Sequence, residues 1–571
     1  MENKLIGMKK RLTRYGDDEF ALFLRKSFIK GFGYTDEVLN KPVIGIINTY
    51  SDFNSCHGNL NDLVEAAKAG VLAAGALPLA FPTISLHESF SFPTSMYLRN
   101  LMAMDTEEMM KALPMDACIL VGGCDKTVPA QIMGALSSNI PFVQLVSGPM
   151  SVGSFKGERV GACTDCRRIW ADYRAGVLSD EDVAEASNQL VPTVGTCGVM
   201  GTASTMALMV ETLGLMVPGG ACAPAVSAQR VRVAEETGAL AVKIAKLNYN
   251  PRDWLTERSF ENALRVLLAV GGSTNGIIHL TAIAGRMGIN LSLDRLDELG
   301  RDTPVIVDLK PSGEGYMEDL NKAGGLVRVL TEIEDLLHLD ALTSSGETLG
   351  VIIEKTRVSW PQATVRTRKN PIFESGGLAV LSGNLVPDGA VIKQSAASTK
   401  LLVHQGKAVV FDGLSDLANR IDDEDLDVSP KDILVLKNIG PKGAPGMPEA
   451  GLIPIPKKLA RMGVKDMVRI SDGRMSGTAS GTIVLHVAPE AAIGGPLNYV
   501  KNGDEIYLNV NTRTLKLLVS DEELQARKET MPIIITSPKR GYGKLFHEHV
   551  TQAPQGVDFD FLIGVDDENK L

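Results

Sequence analysis

Over the first two thirds of the chain, short apolar runs alternate with longer stretches whose apolar residues recur at helical spacing. "PVIGIINTY" (42–50), "ALPLAFPTI" (76–84), "ACILVGG" (117–123) and "PFVQLVSG" (141–148) have the length and near-continuous hydrophobicity of buried strands. Between them lie helical patterns such as "NLNDLVEAAKAGVLAAG" and "LRNLMAMDTEEMMKAL". This alternation predicts a largely parallel sheet covered by helices. Residues 261–288 predict two buried helices joined at a Gly-Ser-Thr-Asn turn.

The pattern changes near residue 370. Beyond it "LAVLSGNLV", "GKAVVFDG", "DILVLKN", "KDMVRISDG", "GTIVLHV" and "DEIYLNVNTRTLKLLVSD" are strand-like, with turn residues at short intervals. A chain of 571 residues is too long for one ordinary core. The expectation is an α/β protein of two domains. Residues 1–370 form an N-terminal parallel-sheet α/β domain, and residues 371–571 a C-terminal β-barrel-like domain. The acidic run 421–427 reads as a solvated loop.

Composition narrows the function classes. A net charge of −10 argues against nucleic acid or an anionic membrane as the main partner. No apolar run reaches the roughly 18 residues of a membrane span. The basic start lacks the apolar core of an export signal, so a cytoplasmic protein is expected. Seven cysteines in so long a chain do not form a disulfide framework; they read as buried residues, metal ligands or reactive thiols.

Candidate chemistry gathers where strands end. In "GGCDKTVPAQIMGA" (122–135), two glycines follow a strand, then Cys124, Asp125 and Lys126 precede a helix. Ligands of open α/β sheets sit at such strand ends, although a capping Asp in an ordinary turn gives the same local pattern. Cys56 and Cys197 occupy similar loops. Either the three thiols converge on one cluster, leaving an iron one ligand short of the usual four, or they are unrelated small residues. Glu88, Asp125 and Glu449 are hard oxygen donors suited to Mg²⁺. Lys126 joins such a site only if neutral or modified, for instance as a carbamate. Ser476, in "ISDGRMSGTASGT" (470–482), reads either as a helix N-cap or as a base whose pKa a bound cation lowers. "CTDC" (163–166) has redox or zinc spacing but no second ligand pair nearby, and reads as structural or incidental, with a cluster ligand as the minor alternative. Cys118 and Cys222 read as packing residues.

Taken together, these segments resemble the dihydroxy-acid and sugar-acid dehydratase family. "CDKTVPAQIMGA" and "SDGRMSGTAS" are similar to its two signatures, and "GGSTNGIIHL", "GNLVPDGAVIK" and "GMPE" follow in family order, spanning roughly residues 40 to 500. The resemblance implies an active site between the two domains. Cys56, Cys124 and Cys197 fall on cluster-ligand positions. Glu88, Asp125, Lys126 (carbamylated in relatives) and Glu449 fall on Mg²⁺ positions, and Ser476 on the proposed base. Thr478, where the biosynthetic branch has glycine, and "CHGNL" resemble the sugar-acid branch, which carries a [2Fe–2S] cluster. The expected reaction dehydrates a small aldonic acid, a pentonate or hexonate, to a 2-oxo-3-deoxy acid. Similar proteins are homodimers or homotetramers. The rivals are a dihydroxy-acid dehydratase of branched-chain amino-acid synthesis and a non-catalytic iron–sulfur sensor using Cys163 and Cys166. A zinc hydrolase lacks its motif.

Overall fold

The computed structural model describes residues 6–531, 533 and 537–564. Residues 1–5, part of the basic start, and 565–571, the end of the second expected domain, lie outside them. The four apolar runs of the first third are strands β1 (Val43–Asn48), β2 (Leu77–Pro82), β3 (Ala117–Gly122) and β4 (Phe142–Val146). All pair in parallel, in the order β2-β1-β3-β4.

Side-chain alternation splits this sheet's apolar residues between two layers. Ile44, Ile46, Ile119, Val121, Val143 and Leu145 pack with helices Leu60–Ala73 and Ala228–Leu247. Val43, Ile47, Cys118, Leu120, Phe142 and Val146 pack on the other face with helices Ser95–Ala112 and Thr127–Ser138. Both faces are covered, so nearly every buried position is apolar; Gln144 in β4 is the exception, its amide donating to Leu120 O at 2.8 Å. β1 and β3 are neighbours, yet the helices that follow them leave to opposite faces. Such a switch opens a crevice at the C-terminal ends of the two strands.

A hairpin of β5 (Gly153–Phe155) and β6 (Glu158–Val160) leads into helix Thr164–Arg174. The expected helix pair is Glu257–Ala269 and Asn275–Gly285, joined through residues 270–274.

The last third closes into an eight-stranded barrel. Its strands are β7 (Ala379–Gly383), β8 (Val386–Ile392), β9 (Val403–Asp412), β10 (Ile433–Lys437), β11 (Arg469–Ser471), β12 (Ile483–Leu485), β13 (Glu505–Asn509) and β14 (Thr514–Leu517). They run around the barrel as β10-β11-β12-β8-β7-β14-β13-β9. Closure leaves no unpaired edge, and Leu381, Ile392, Val410, Val435, Ile470, Val484, Ile506 and Leu515 share its core. "LAVLSGNLV", expected as one strand, is divided: the chain turns at Asn384 and Leu385 and returns antiparallel as β8. Among the described residues, no helix is long and apolar enough to cross a membrane.

Candidate active site

The C-terminal ends of the four parallel strands deliver the chemistry. Cys56 lies in the 3₁₀ turn Ser55–His57 after β1, Glu88 in the turn Glu88–Phe90 after β2, and Cys124, Asp125 and Lys126 directly after β3. Cys197 follows Thr196, whose N–H donates to Gly148 O at 2.9 Å and whose carbonyl accepts from Met150 N at 2.8 Å, so this loop is tied to the segment leaving β4.

His57, which the sequence did not single out, joins two of these loops. Its Nδ1–H donates to Thr49 O at 2.7 Å, and Nε2 accepts the backbone N–H of both Gly123 and Cys124 at 3.0 Å. Burial pushes its pKa down to about 4, so the imidazole is neutral. Gly123 is required for closeness: a Cβ there would lie 1.8 Å from Ser147 Oγ.

The sulfur side of the site has two pairs. Cys56 and Cys124 are buried, and their sulfurs, with a ring nitrogen of His87, lie within 4.8 Å of one another. The hydrogen bond to Cys124, with burial, raises the Cys56 thiol well above its ordinary value. On the other side, Cys197 Sγ is 3.5 Å from Cys163 Sγ. "CTDC" therefore does not stand apart from the other thiols, as its spacing suggested. Hydrogen bonds with Cys166 and Cys197 hold the Cys163 thiol well below its ordinary value. Cys118 and Cys222 are buried in the apolar cores, as expected.

Beside the sulfurs sit the oxygens. Glu88, Asp125 and Glu449 each present a carboxylate oxygen within 4.8 Å of the other two. Lys126 is fully buried among them, with Nζ 2.5 Å from Asp125, 3.2 Å from Glu88 and 3.8 Å from Glu449. Arg474, also missed in the sequence, reaches Glu449 at 2.6 Å and Glu88 at 3.2 Å. Burial acts to raise the Glu88 carboxyl, but Arg474, Lys126 and the hydroxyls of Ser95 and Thr94 outweigh it and hold it well below the usual range. Burial dominates at Glu449 and raises it. Lys126 is held above its ordinary value in spite of burial and Arg474, through Asp125, Glu88 and Glu449. The ammonium thus stands where a cation would stand, with three carboxylates facing two buried cations.

The serine turn reaches this half from the barrel through Arg474, two residues before Ser476. Ser476 is partly exposed and no helix follows it; strand β12 does, so it is not an N-cap. Its Oγ is 2.8 Å from Thr478 Oγ1. The turn is pinned on every side. Asn275 Nδ2 donates to Met475 O at 3.0 Å, Lys393 Nζ to Gly477 O at 3.3 Å, and Thr164 Oγ1 to Thr478 O at 2.9 Å. A Cβ on Gly477 would lie 2.5 Å from Ser273 Oγ, which explains how "GGSTNG" and the serine turn depend on each other. Lys393 is wholly buried, and burial pushes its pKa down to about 7.

A soft thiol nest and a hard carboxylate nest thus meet at Cys124 and Asp125, with the serine turn held by hydrogen bonds from three elements, and the class of protein that this fold and donor set belong to is a dehydratase family. The family described as dihydroxy-acid/6-phosphogluconate dehydratase, N-terminal, matches residues 41–352, and its C-terminal counterpart matches residues 363–557. The chain belongs to this family. It is similar to an L-arabinonate dehydratase of Rhizobium leguminosarum bv. trifolii, with 47% identity covering 96% of this chain and 95% of the relative. An L-arabonate dehydratase of Azospirillum brasilense is 43% identical, covering 96% of each chain. A 6-deoxy-6-sulfo-D-gluconate dehydratase of Pseudomonas putida is 42% identical, covering 96% and 95%.

Proposed function

We propose that this enzyme dehydrates an aldonic acid of five or six carbons to the 2-oxo-3-deoxy acid. The observation that carries the reading is the adjacency of two donor sets of opposite softness, joined through consecutive residues Cys124 and Asp125. Thiolates suit an iron–sulfur cluster and carboxylates suit magnesium. Cys56, Cys124 and Cys197 would hold a [2Fe–2S] cluster. Glu88, Asp125, Glu449 and a carbamylated Lys126 would hold Mg²⁺; the carbamate replaces a positive charge with a negative one where three carboxylates already converge. When bound, the metal groups supply Lewis acidity toward the substrate carboxylate, the 2-hydroxyl and the departing 3-hydroxyl.

The chain's own residues handle the proton. Ser476 Oγ takes the proton from C2, and Thr478 Oγ1, 2.8 Å away, orients that oxygen. Asn275, Lys393 and Thr164 fix the carbonyls of the turn, so the base does not wander from its partner. Loss of the C2 proton and the C3 hydroxyl gives an enol and water, and the enol becomes the 2-oxo acid with no net redox change. Similarity to relatives named for arabinonate and sulfogluconate supports a sugar-acid substrate.

The test is anaerobic purification followed by a panel of aldonates and 2,3-dihydroxyisovalerate, assayed for 2-oxo acid. Turnover is expected on an aldonate. Preference for dihydroxyisovalerate over every aldonate would move the enzyme to the biosynthetic branch. A cluster-loaded protein with no turnover on any of them would leave a sensor.

A further inference from the structure

The pair Cys163–Cys197 is unexplained by a three-thiolate cluster. Two sulfurs bound to one tetrahedral metal at about 2.3 Å lie about 3.8 Å apart, and these lie 3.5 Å apart, so a shared metal needs them to part by only about 0.3 Å. The other sulfurs form a second pair, Cys56 with Cys124. Two pairs, one per iron, make the usual four-cysteine set of a [2Fe–2S] cluster.

The position of Cys163 is built into the fold. It immediately precedes helix Thr164–Arg174. That helix start is anchored by Asp165, which accepts from Gly161 N at 2.9 Å, Lys310 Nζ at 3.0 Å and Tyr316 Oη at 2.9 Å. Thr164 ties the same turn to the serine segment. Cys197 is fixed just as firmly, through Thr196 and through Ser204, whose Oγ donates to Cys197 O at 3.3 Å. Cys166, on the same helix, is also partly exposed but hydrogen-bonds Cys163, so the reference for Cys163 is the same residue in the cluster-stripped chain.

We propose that Cys163 is a fourth, displaceable thiolate: it closes the cluster in the substrate-free enzyme and is released when the aldonate binds. This rests on the cluster assignment above and adds a ligand that assignment does not contain. No electrons are transferred; a thiolate–iron bond would form at rest, as the thiol gives its proton to solvent, and would break on substrate binding, as a substrate oxygen takes the iron position and the released thiolate regains a proton from solvent.

The experiment uses the full chain, purified anaerobically with its cluster and alkylated with iodoacetamide, each cysteine being followed by peptide mass mapping. Without substrate, Cys163 should react about tenfold or more slowly in the loaded enzyme than in the same chain stripped of its cluster, because a metal-bound thiolate is withheld from the alkylating agent. Adding the best aldonate of the panel to the loaded enzyme should bring Cys163 toward the stripped-chain rate, while Cys56, Cys124 and Cys197 stay protected. In parallel, Cys163→Ser and Cys163→Ala should retain iron and sulfide. Their visible circular dichroism should differ from wild type without aldonate and converge with it. Equal labelling of Cys163 in the loaded, substrate-free enzyme and in the cluster-stripped chain overturns the inference, even if both variants fail to fold. If that enzyme also dehydrates aldonates, the proposed function stands. A wild-type chain that takes up no cluster overturns both.

Discussion

Ser476→Ala separates the chemistry of the serine turn from its folding. The hydroxyl makes one good contact, 2.8 Å to Thr478 Oγ1, and accepts a long one, 3.4 Å from Thr478 N. Neither contact caps a helix. Losing a hydrogen bond of this kind costs about 0.5–1.5 kcal/mol, and the melting temperature should fall by no more than a few degrees. Even if all of that were expressed in the barrier, the rate would change by about tenfold or less. Loss of a general base costs about 10²–10⁴-fold in rate, or about 2.7–5.5 kcal/mol. The two ranges do not overlap. The assay measures 2-oxo acid formation and wash-out of the substrate C2 proton in D₂O, on protein with matched iron and sulfide content. Both should fall together by at least about 10²-fold. A variant with a full cluster and turnover within about tenfold of wild type would remove Ser476 as the base and make Thr478 the next residue to replace.

Four further outcomes are expected. Glu449→Gln, or chelation, should abolish turnover while most of the iron stays bound, read by elemental analysis; full activity in a protein shown to hold no Mg²⁺ would exclude the magnesium role. Replacing Cys56, Cys124 or Cys197 by Ser should each bleach the cluster absorbance, and retention of the cluster in any of the three would remove that residue from the ligand set. Lys393→Met should stabilise the protein near pH 7. With a folded pKa of about 7 against an ordinary value of 10.5, the unfolded chain binds the extra proton between these values. Wild-type stability therefore rises with pH across that window, by an amount on the order of 5 kcal/mol in total; urea titrations at pH 7 and 9 that show no narrowing gap would refute this. Gly123→Ala should impair folding or cluster uptake because its Cβ meets Ser147 Oγ, and Ser147→Gly should partly restore iron content in the double variant.

Much of the fold was written locally. The four parallel strands are covered on both faces, so each is a continuous apolar run and stands out within a few residues. The barrel was less legible. Its strands are short and alternate, but closure pairs β14 with β7 and β9 with β13, across about a hundred residues of chain or more, and no local pattern encodes a partner. The same reason hid Cys163. Its nearest sequence partner is Cys166, and "CTDC" invited reading the two as a unit, whereas Cys163 also faces Cys197 from a separate loop. Glu88, Asp125 and Glu449 were read first as hard oxygen donors, with Lys126 as an amine that needs modification to join them, and the resemblance assigned all four to Mg²⁺; the fold brings the four side chains together. Arg474 lay inside a quoted motif, but only three-dimensional packing shows that it is the counter-charge to two of them.

The site is also assembled in two instalments of time. Every thiol of the nest lies within the first 197 residues, on loops of the parallel sheet and the segment after it. Arg474, Glu449 and Ser476, which complete and cover the carboxylate half, belong to the last quarter of the chain. At roughly 5–20 residues per second, a ribosome exposes the thiols some tens of seconds before it makes their cover. During that interval the sulfur nest is open to donors of iron and sulfide, and equally to oxidants, whereas the carboxylate half has Glu88 and Asp125 but still lacks Glu449 and Arg474. Iron loading is therefore able to precede magnesium loading during synthesis, and the serine turn, arriving last, closes over a nest that can already hold its cluster.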